Sequence, residues 1–354
     1  MRHRSTVFGL ALLLSIVLVP SSASAQAPPQ DDLSDLGNAL QTISEGYADN
    51  YVQPITNTFG AGVNAGLFRS ADVGNGLIPG FPLNVYLGVN VSGPLTSSLN
   101  ETFTPFGGGT EEFTVQQNGT PRTFVADYTG TGDVPTVFGE TEPPNGRLVI
   151  RDKQTGAIVA DARAPQGLLD TPIAPLIIPQ LGVGSVFGTD VQVRYFPKSE
   201  LSFAGSSYGT VGVLGLAVRH DIDQWFPVPL PLNLAIQGAW NQFSLENTLD
   251  GRNTTQEVLD ASGWAVNFQA SKGLPVAPIT FYGGVQYETF SVDYDYTLPL
   301  NNAPDADISL SQDAENTVRG LVGVTFTAAV VRINVDYAIG NEQNIVTTGL
   351  GVRL

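Results

Sequence analysis

The sequence predicts an all-β protein, a transmembrane antiparallel β-barrel of 12 to 14 strands preceded by an N-terminal amphipathic helix. Three observations carry this. The stretch Asn344 to Leu354 alternates to the final residue, with Val346, Thr348, Leu350, Val352 and Leu354 on one face and Thr347, Gly349, Gly351 and Arg353 on the other. Its length suits a tilted membrane strand of about 9 to 11 residues better than the soluble average of about 5 to 6. Charged residues make up only 14% of the chain beside 39 Gly and 42% hydrophobic residues, whereas an acidic secreted globule is normally more charged. Finally, no apolar run after the N-terminus is long enough for a spanning helix, so a chain that crosses a membrane must do so as a closed barrel.

The first 25 residues read as a cleaved signal peptide. Arg2, His3 and Arg4 precede an apolar run from Val7 to Val19, and Ala23-Ser24-Ala25 gives a small-x-small site before Gln26. The chain has no Cys, which excludes disulfides and thiol chemistry. Losing Arg2 and Arg4 from 16 basic residues, and none of 33 acids, leaves a mature net charge of −19 with three Lys, eleven Arg and one His. Such a chain repels nucleic acid. The expected location is the outer membrane. The expected partners are its lipid bilayer, the barrel-assembly machinery engaged through the C-terminal strand, and small-molecule cargo.

Residues 26–57 form a Pro-containing leader and a helix. Leu33, Leu36, Leu40, Ile43, Tyr47 and Tyr51 recur at three- and four-residue spacing, and Pro54 is expected to stop the helix. It either caps the barrel from below or plugs the lumen. The barrel is expected over residues 58–354. The period changes to two from Thr58, where Phe59, Ala61, Val63, Ala65 and Leu67 alternate with Gly60, Gly62, Asn64 and Gly66, and a second strand follows around Leu83 to Val91. Residues 97–172 are irregular, with hairpins at Phe113–Tyr128 around Asn118-Gly119 and at Leu148–Ala162 around Gln154-Thr155-Gly156. Nine further strands are predicted from Leu176 to the end. An even total requires one or three strands from the middle region. Glu246–Glu257 and Asp293–Thr317 are expected as long outer loops.

The aromatics tell the faces apart. Tyr195, Trp240, Trp264, Tyr287 and Tyr337 fall toward the predicted outer ends of apolar faces, and Phe268, Phe281 and Phe326 toward the inner ends, as two interfacial girdles require. The opposite, lumen-lining faces carry Asp190, Gln192, Arg194, Asn233, Gln237, Asn241, Gln286, Glu288, Arg319, Arg332, Asp336 and Arg353, together with Asn267, Gln269 and Asn334. Asp190 with Arg194, and Arg332 with Asp336, set an acid and a base four residues apart. This lining is either a polar pore or an internally paired network that fills a narrow barrel.

Several elements carry a resemblance. Tyr51-Val52-Gln53-Pro54-Ile55, Phe81 to Leu87, Pro135-Thr136-Val137-Phe138-Gly139, Pro179 to Gly184 with Arg194-Tyr195-Phe196-Pro197, and Val218 to Trp225 resemble those of an uncharacterised outer-membrane β-barrel family, a domain of unknown function. The resemblance covers nearly all of the mature chain and implies a fold and a compartment rather than an activity. A fainter similarity, in the leading helix and the strand number, is to fatty-acid and hydrocarbon uptake barrels, and by analogy it points to hydrophobic cargo.

Chemistry is sparse. His220, beside Asp221 and Asp223, is the sole candidate for a barrel hydrolase, but it falls in a predicted periplasmic turn next to Trp225 with no Ser near it in sequence. One His rules out a multi-His metal site. The acidic run from Asp293 to Glu315 lacks the Gly and terminal Glu of a calcium loop, so no metal, cofactor or catalytic residue is expected. The expected function is a passive channel for small, possibly hydrophobic, solutes. The alternatives are a non-conducting structural or adhesive barrel, and a hydrolase using His220.

Overall fold

The computed structural model describes residues 47, 49–73, 84–95, 101–117, 120–140, 142, 144–164, 166–167, 173, 175–203, 206–247, 256–298 and 306–353. The signal peptide, the leader, the helical positions Leu33 to Ile43, the Asn118-Gly119 turn and Leu354 lie outside the described residues. Residues 49–63 form a helix, α1. The first strand, β1 (Asn84–Leu95), precedes an insert of six short strands: β2 (Thr102–Phe103), β3 (Thr110–Gln117), β4 (Thr120–Tyr128), β5 (Val134–Pro135), β6 (Arg147–Asp152) and β7 (Ile158–Arg163). The chain then runs up and down through β8 (Leu176–Val186), β9 (Thr189–Phe203), β10 (Ser206–Asp221), β11 (Asn233–Asn247), β12 (Gln256–Gly273), β13 (Ile279–Leu298), β14 (Ala306–Asp313), β15 (Val318–Ala328), β16 (Val331–Gly340) and β17 (Asn344–Arg353).

All strand pairs are antiparallel, and the wall closes because β1 pairs with β17 on one side and β8 on the other while β12 pairs with β13. Ten strands make the closed wall, fewer than the 12 to 14 expected. The insert contributes none. Its strands β3, β4, β6 and β7 form a separate sheet, because Phe124, Ala126 and Ile150 find their own core with Phe106 and Phe113. The expected loop Asp293–Thr317 is largely a hairpin: β13 runs on to Leu298 and pairs with β14, setting Tyr294 opposite Leu310 and Tyr296 opposite Ile308.

The N-terminal part differs most from expectation. The helix passes through Pro54 to residue 63, and residues 59–67 are not a wall strand. An interior Pro costs about 3 kcal/mol in a helix. Here Pro54 is buried and every residue from 54 to 71 except the half-buried Phe59 is buried too, so packing outweighs it. A helix enclosed on all sides has no polar face, and its small residues imitate the period of a strand. The barrel wall therefore begins at β1 rather than at residue 58.

At one end the connections are Phe187-Gly188, residues 222–232, residues 274–278 and Ala329-Val330; the other end carries the long insert between β1 and β8 and the β13–β14 hairpin, beside the short turn of residues 341–343. Phe187 and Gly188 have φ of 51° and 69°, the two positive values that a tight hairpin turn requires. By the rule for outer-membrane barrels, the long connections face outward from the cell. The lower wall turns apolar side chains outward, among them Leu214, Leu216, Val218, Ile236, Val266, Val285, Val322, Val335 and Leu350, each at least 40% exposed. Phe268, Phe281 and Phe326 lie at the bottom of this belt and Tyr195, Trp240, Trp264, Tyr287 and Tyr337 at its top, all on the outer surface. Above the top girdle the alternation inverts. Outward positions become Gln242, Asp260, Ser262, Ser291 and Asp293, while Phe243, Leu259, Ala261, Phe290 and Val292 turn inward and are buried. A belt bounded by aromatics, with polar exterior beyond it, is the signature of a wall immersed in lipid.

The insert roofs the long-connection end. In the turn after β6, the backbone N–H groups of Gln154 and Thr155 each donate to Asp152 Oδ1 at 2.8 Å, and Arg122 pairs with its other oxygen. The Thr155 bonds, with Arg122 and Gln154, hold the Asp152 carboxyl below its usual range. A depressed folded-state pKa gives stabilisation that is complete above the ordinary Asp value, about 3.9, and lost as pH falls through the lower folded one. Exchange protection of the Gln154 and Thr155 amides should hold from neutral pH to about 4 and collapse only in stronger acid. Loss of protection already near pH 6 would contradict this account.

Candidate functional site: a stoppered lumen

The lumen is occupied by the chain's own N-terminal segment. α1 enters beneath the roof at the long-connection end, and residues 64–73 continue to the opposite rim, where the Val73 carbonyl accepts from Asn84 at 3.0 Å. The helix expected at Asp31–Tyr51 lies mostly outside the described residues, and it is the following stretch, residues 54–71, that occupies the lumen.

The upper half is held by apolar packing. Tyr47, Tyr51 and Ile55 share one core with Val134, Val137 and Phe138 of the roof and Phe243, Phe290 and Val292 of the wall. The Tyr47 ring meets Phe103 edge-on at 5.0 Å, and the Tyr51 hydroxyl donates to the Gln166 carbonyl at 2.7 Å. Gly60 is needed where α1 crosses Phe290, since a Cβ there would lie 2.9 Å from the ring. Thr56 bonds both the Tyr294 hydroxyl, at 2.8 Å, and Gln312 of β14, at 2.6 Å.

The lower half is held by polar groups together with a smaller apolar cluster, in which Leu67 and Phe68 pack with Ala217, Ala239, Ala265, Tyr282 and Leu321. The last turn of a helix leaves its carbonyls without intrahelical partners, and two wall arginines supply them. Arg319 donates twice to the Ala61 carbonyl at 3.1 Å. Arg194 donates to the carbonyls of Val63 and, at 2.8 Å, Ala65. Ser92 bonds the Gly62 carbonyl at 2.9 Å and Gln286 the Asn64 carbonyl at 3.1 Å, while the Asn241 amide reaches the Asn64 side chain at 2.9 Å. Gly66, at φ 72°, turns the chain out of the helix against Asn90, which donates to its carbonyl. The cation of Arg319 is matched by Glu288, which also accepts from Gln286 and Asn316 at 2.6 Å each.

Of the lumen-lining residues read from sequence, Asp190, Gln192, Arg194, Gln237, Asn241, Gln286, Glu288, Arg319, Asp336 and Arg353 are buried inside the wall, and Asn233 and Arg332 are half-buried at its lower end. Their pairing differs from the sequence pattern. Asp190 takes Arg219 of the neighbouring strand, not Arg194, and Asp336 accepts from the Tyr282 hydroxyl at 2.8 Å. Residues four apart on a strand are separated by about 13 Å, so cross-strand neighbours win. Sequence reasoning missed Arg69, which lies in the plug, and Arg219. The one available signal for Arg219 was its place on the inward face with Gly215 and Ala217.

His220 lies at the lower rim. Its Nδ1 is 2.8 Å from the Thr189 hydroxyl, its Nε2 is 3.1 Å from the Gln224 amide, and its ring lies against Trp225 in a tilted contact, with centroids 4.9 Å apart.

Comparison with known proteins places the sequence. Residues 1–354 match the family of unknown function DUF6588. The chain belongs to that family. No curated protein matches the sequence. Solved structures similar to it include the translocator domain of the autotransporter NalP from Neisseria meningitidis, at 11% identity and a TM-score of 0.27, covering 92% of this chain and 99% of that one. The β domain of the Bordetella autotransporter BrkA is similar at 8% identity and a TM-score of 0.30, covering 76% and 98%. Ail of Yersinia pestis is similar at 13% identity and a TM-score of 0.23, covering 47% and 94%. Superposition this loose carries no argument about activity, and the barrel assignment stands on the strand pairings and the lipid-facing belt.

Replacing Arg319 by Met should cost about 3 to 5 kcal/mol, because it leaves Glu288 charged and buried without its partner. The double replacement Arg319→Met with Glu288→Leu should recover much of that loss. Urea midpoints of the refolded proteins in detergent measure both, and equal losses in single and double variants would show that the ion pair is not the source.

Proposed function

We propose that this outer-membrane barrel is a gated channel for small solutes, closed in the state described, with residues 47–73 as its stopper. The observation that supports this is the lower wall: between the girdles many of the inward side chains are polar, from Gln180 and Gln192 through Asn241 and Asn267 to Gln286 and Asn334, set among small or apolar ones such as Ala217, Ala239, Ala265, Tyr282 and Leu321. Apolar residues would fill a permanently shut barrel at equal or lower cost, since buried ion pairs replaced by packed hydrophobes are often neutral or stabilising. A wall that must remain wetted after the stopper leaves has to be polar. The stopper precedes β1 in the chain, so it can withdraw without parting any strands. Polar lining favours polar cargo over the hydrophobic cargo suggested by analogy.

A second reading has its own support. Burial of Tyr47, Tyr51 and Ile55 against the roof is worth roughly 5 to 9 kcal/mol, so spontaneous opening would be rarer than about one in several thousand. A barrel held this firmly suits a non-conducting anchor that displays the four-stranded sheet at the cell surface, as a structural or adhesive protein would.

Planar-bilayer conductance distinguishes the two. The full chain should be silent, removal of residues 26–73 should give stable steps, and Tyr51→Ala with Ile55→Ala in the full chain should give brief openings. Removing only Asp31 to Tyr51 should not open the pore, because residues 54–71 remain in the lumen. Silence of every variant, in protein shown to be folded and inserted, would leave the display reading.

We further propose that His220 is not catalytic and instead ties β9 to the 222–232 turn. His220→Ala should lower thermal stability slightly while leaving any lipid or peptide hydrolysis by the purified protein unchanged. Loss of a measurable hydrolytic activity in that variant would restore the enzyme reading.

A further inference from the structure

The chain is strongly acidic, yet four of the eleven arginines of its mature part gather in one recess at the lower end of the lumen. Arg69 comes from the stopper, Arg219 from β10, Arg332 from β16 and Arg353 from β17, and the recess that they line also holds Asp72, Asn84, Tyr86 and Asp190. Two of the arginines are committed. Arg219 is paired with Asp190 and donates to the Ser70 carbonyl. Arg353 donates to Asn84 at 2.8 Å and lies 3.7 Å from Asp72.

Neither of the other two has a carboxylate to itself: Asp190, paired with Arg219, also faces Arg69, and Asp72, beside Arg353, also faces Arg332. Arg69 is 4% exposed and its guanidinium lies over the Tyr86 ring, 4.1 Å from the centroid. Its Nη1 has no hydrogen-bond partner among the described residues, and neither has Nε of Arg332. Among the described residues, four guanidinium groups against two carboxylates leave an excess of two positive charges. Buried cations require a counter-charge, since an unpaired ion out of water is penalised by several kcal/mol. Solvent reaches the recess at its lower side, where the Asp72 side chain is 43% exposed.

We infer that this recess is a binding site for a small tetrahedral dianion, inorganic phosphate or sulfate. Two charges match the excess, and several oxygens answer the fork of guanidinium donors. The site joins the stopper, the first strand and the last strand, so a bound anion ties the free end of the stopper to the closing seam of the barrel. It does not depend on whether the stopper ever leaves the lumen.

The test is isothermal titration of inorganic phosphate into the refolded full chain in detergent, at ionic strength held constant with chloride because surface charge effects are screened within about 10 Å. Saturable binding to one site is expected. Arg332→Met, at a half-buried position that folding tolerates, should weaken it about tenfold or more, as loss of a charge-assisted bond does. Arg69→Met should do the same. Asp72→Asn, which removes a competing carboxylate, should tighten binding several-fold, an effect opposite to that of general damage. Absence of saturable binding, or binding that is equal in wild type and Arg332→Met, would overturn the proposal.

Discussion

The structure depends on the contact between two wall arginines and the end of one helix. A ten-stranded barrel cannot be left hollow and dry, and a helix cannot end inside it with bare carbonyls. Arg319 and Arg194 meet both needs by reaching inward to the carbonyls of Ala61, Val63 and Ala65. Around them the remaining polar groups fall into place: Glu288 balances Arg319, Asn241 takes the Asn64 side chain, and Gln286 takes its carbonyl.

The same strands serve two solvents. Below the upper girdle their outward faces meet lipid and their inward faces mix polar side chains with small or apolar ones. Above it, the exterior meets water and the interior becomes a packed apolar core shared with the roof and the head of the stopper. The inversion occurs within single strands, so that in β11 Trp240 is the last large apolar side chain pointing out and Phe243 the first large one pointing in. The stopper makes mainly apolar contacts at its head and, at its tail, polar contacts beside the packing of Leu67 and Phe68 against the wall. Any gate built on it must break a hydrophobic core at one end and a hydrogen-bond network at the other.

Electrostatics divides along the same axis. The acidic surplus of the chain lies largely on its outer parts, while its arginines are concentrated within the wall and toward the lower rim, where Arg69, Arg219, Arg332 and Arg353 converge. Such a gradient is a property of the folded barrel, because Arg69 lies far in sequence from the other three.

The sequence by itself determined the barrel class, the faces of its strands and the girdle positions, because a period of two and the placement of aromatics at a lipid boundary are local properties of each strand. It also marked the hairpins of the insert, through turn residues at Gln154-Thr155-Gly156. The tertiary structure alone decided the strand number, since the insert could have supplied wall strands had it not found a core of its own around Phe124 and Ile150. It also decided the fate of residues 59–67, whose small alternating side chains fit a strand or a fully enclosed helix equally well until the surrounding wall is known. Ion pairing was not legible either. The partner of Asp190 is set by the register of β9 against β10, which brings Arg219 opposite it, and register is fixed by pairing between strands rather than by spacing within one.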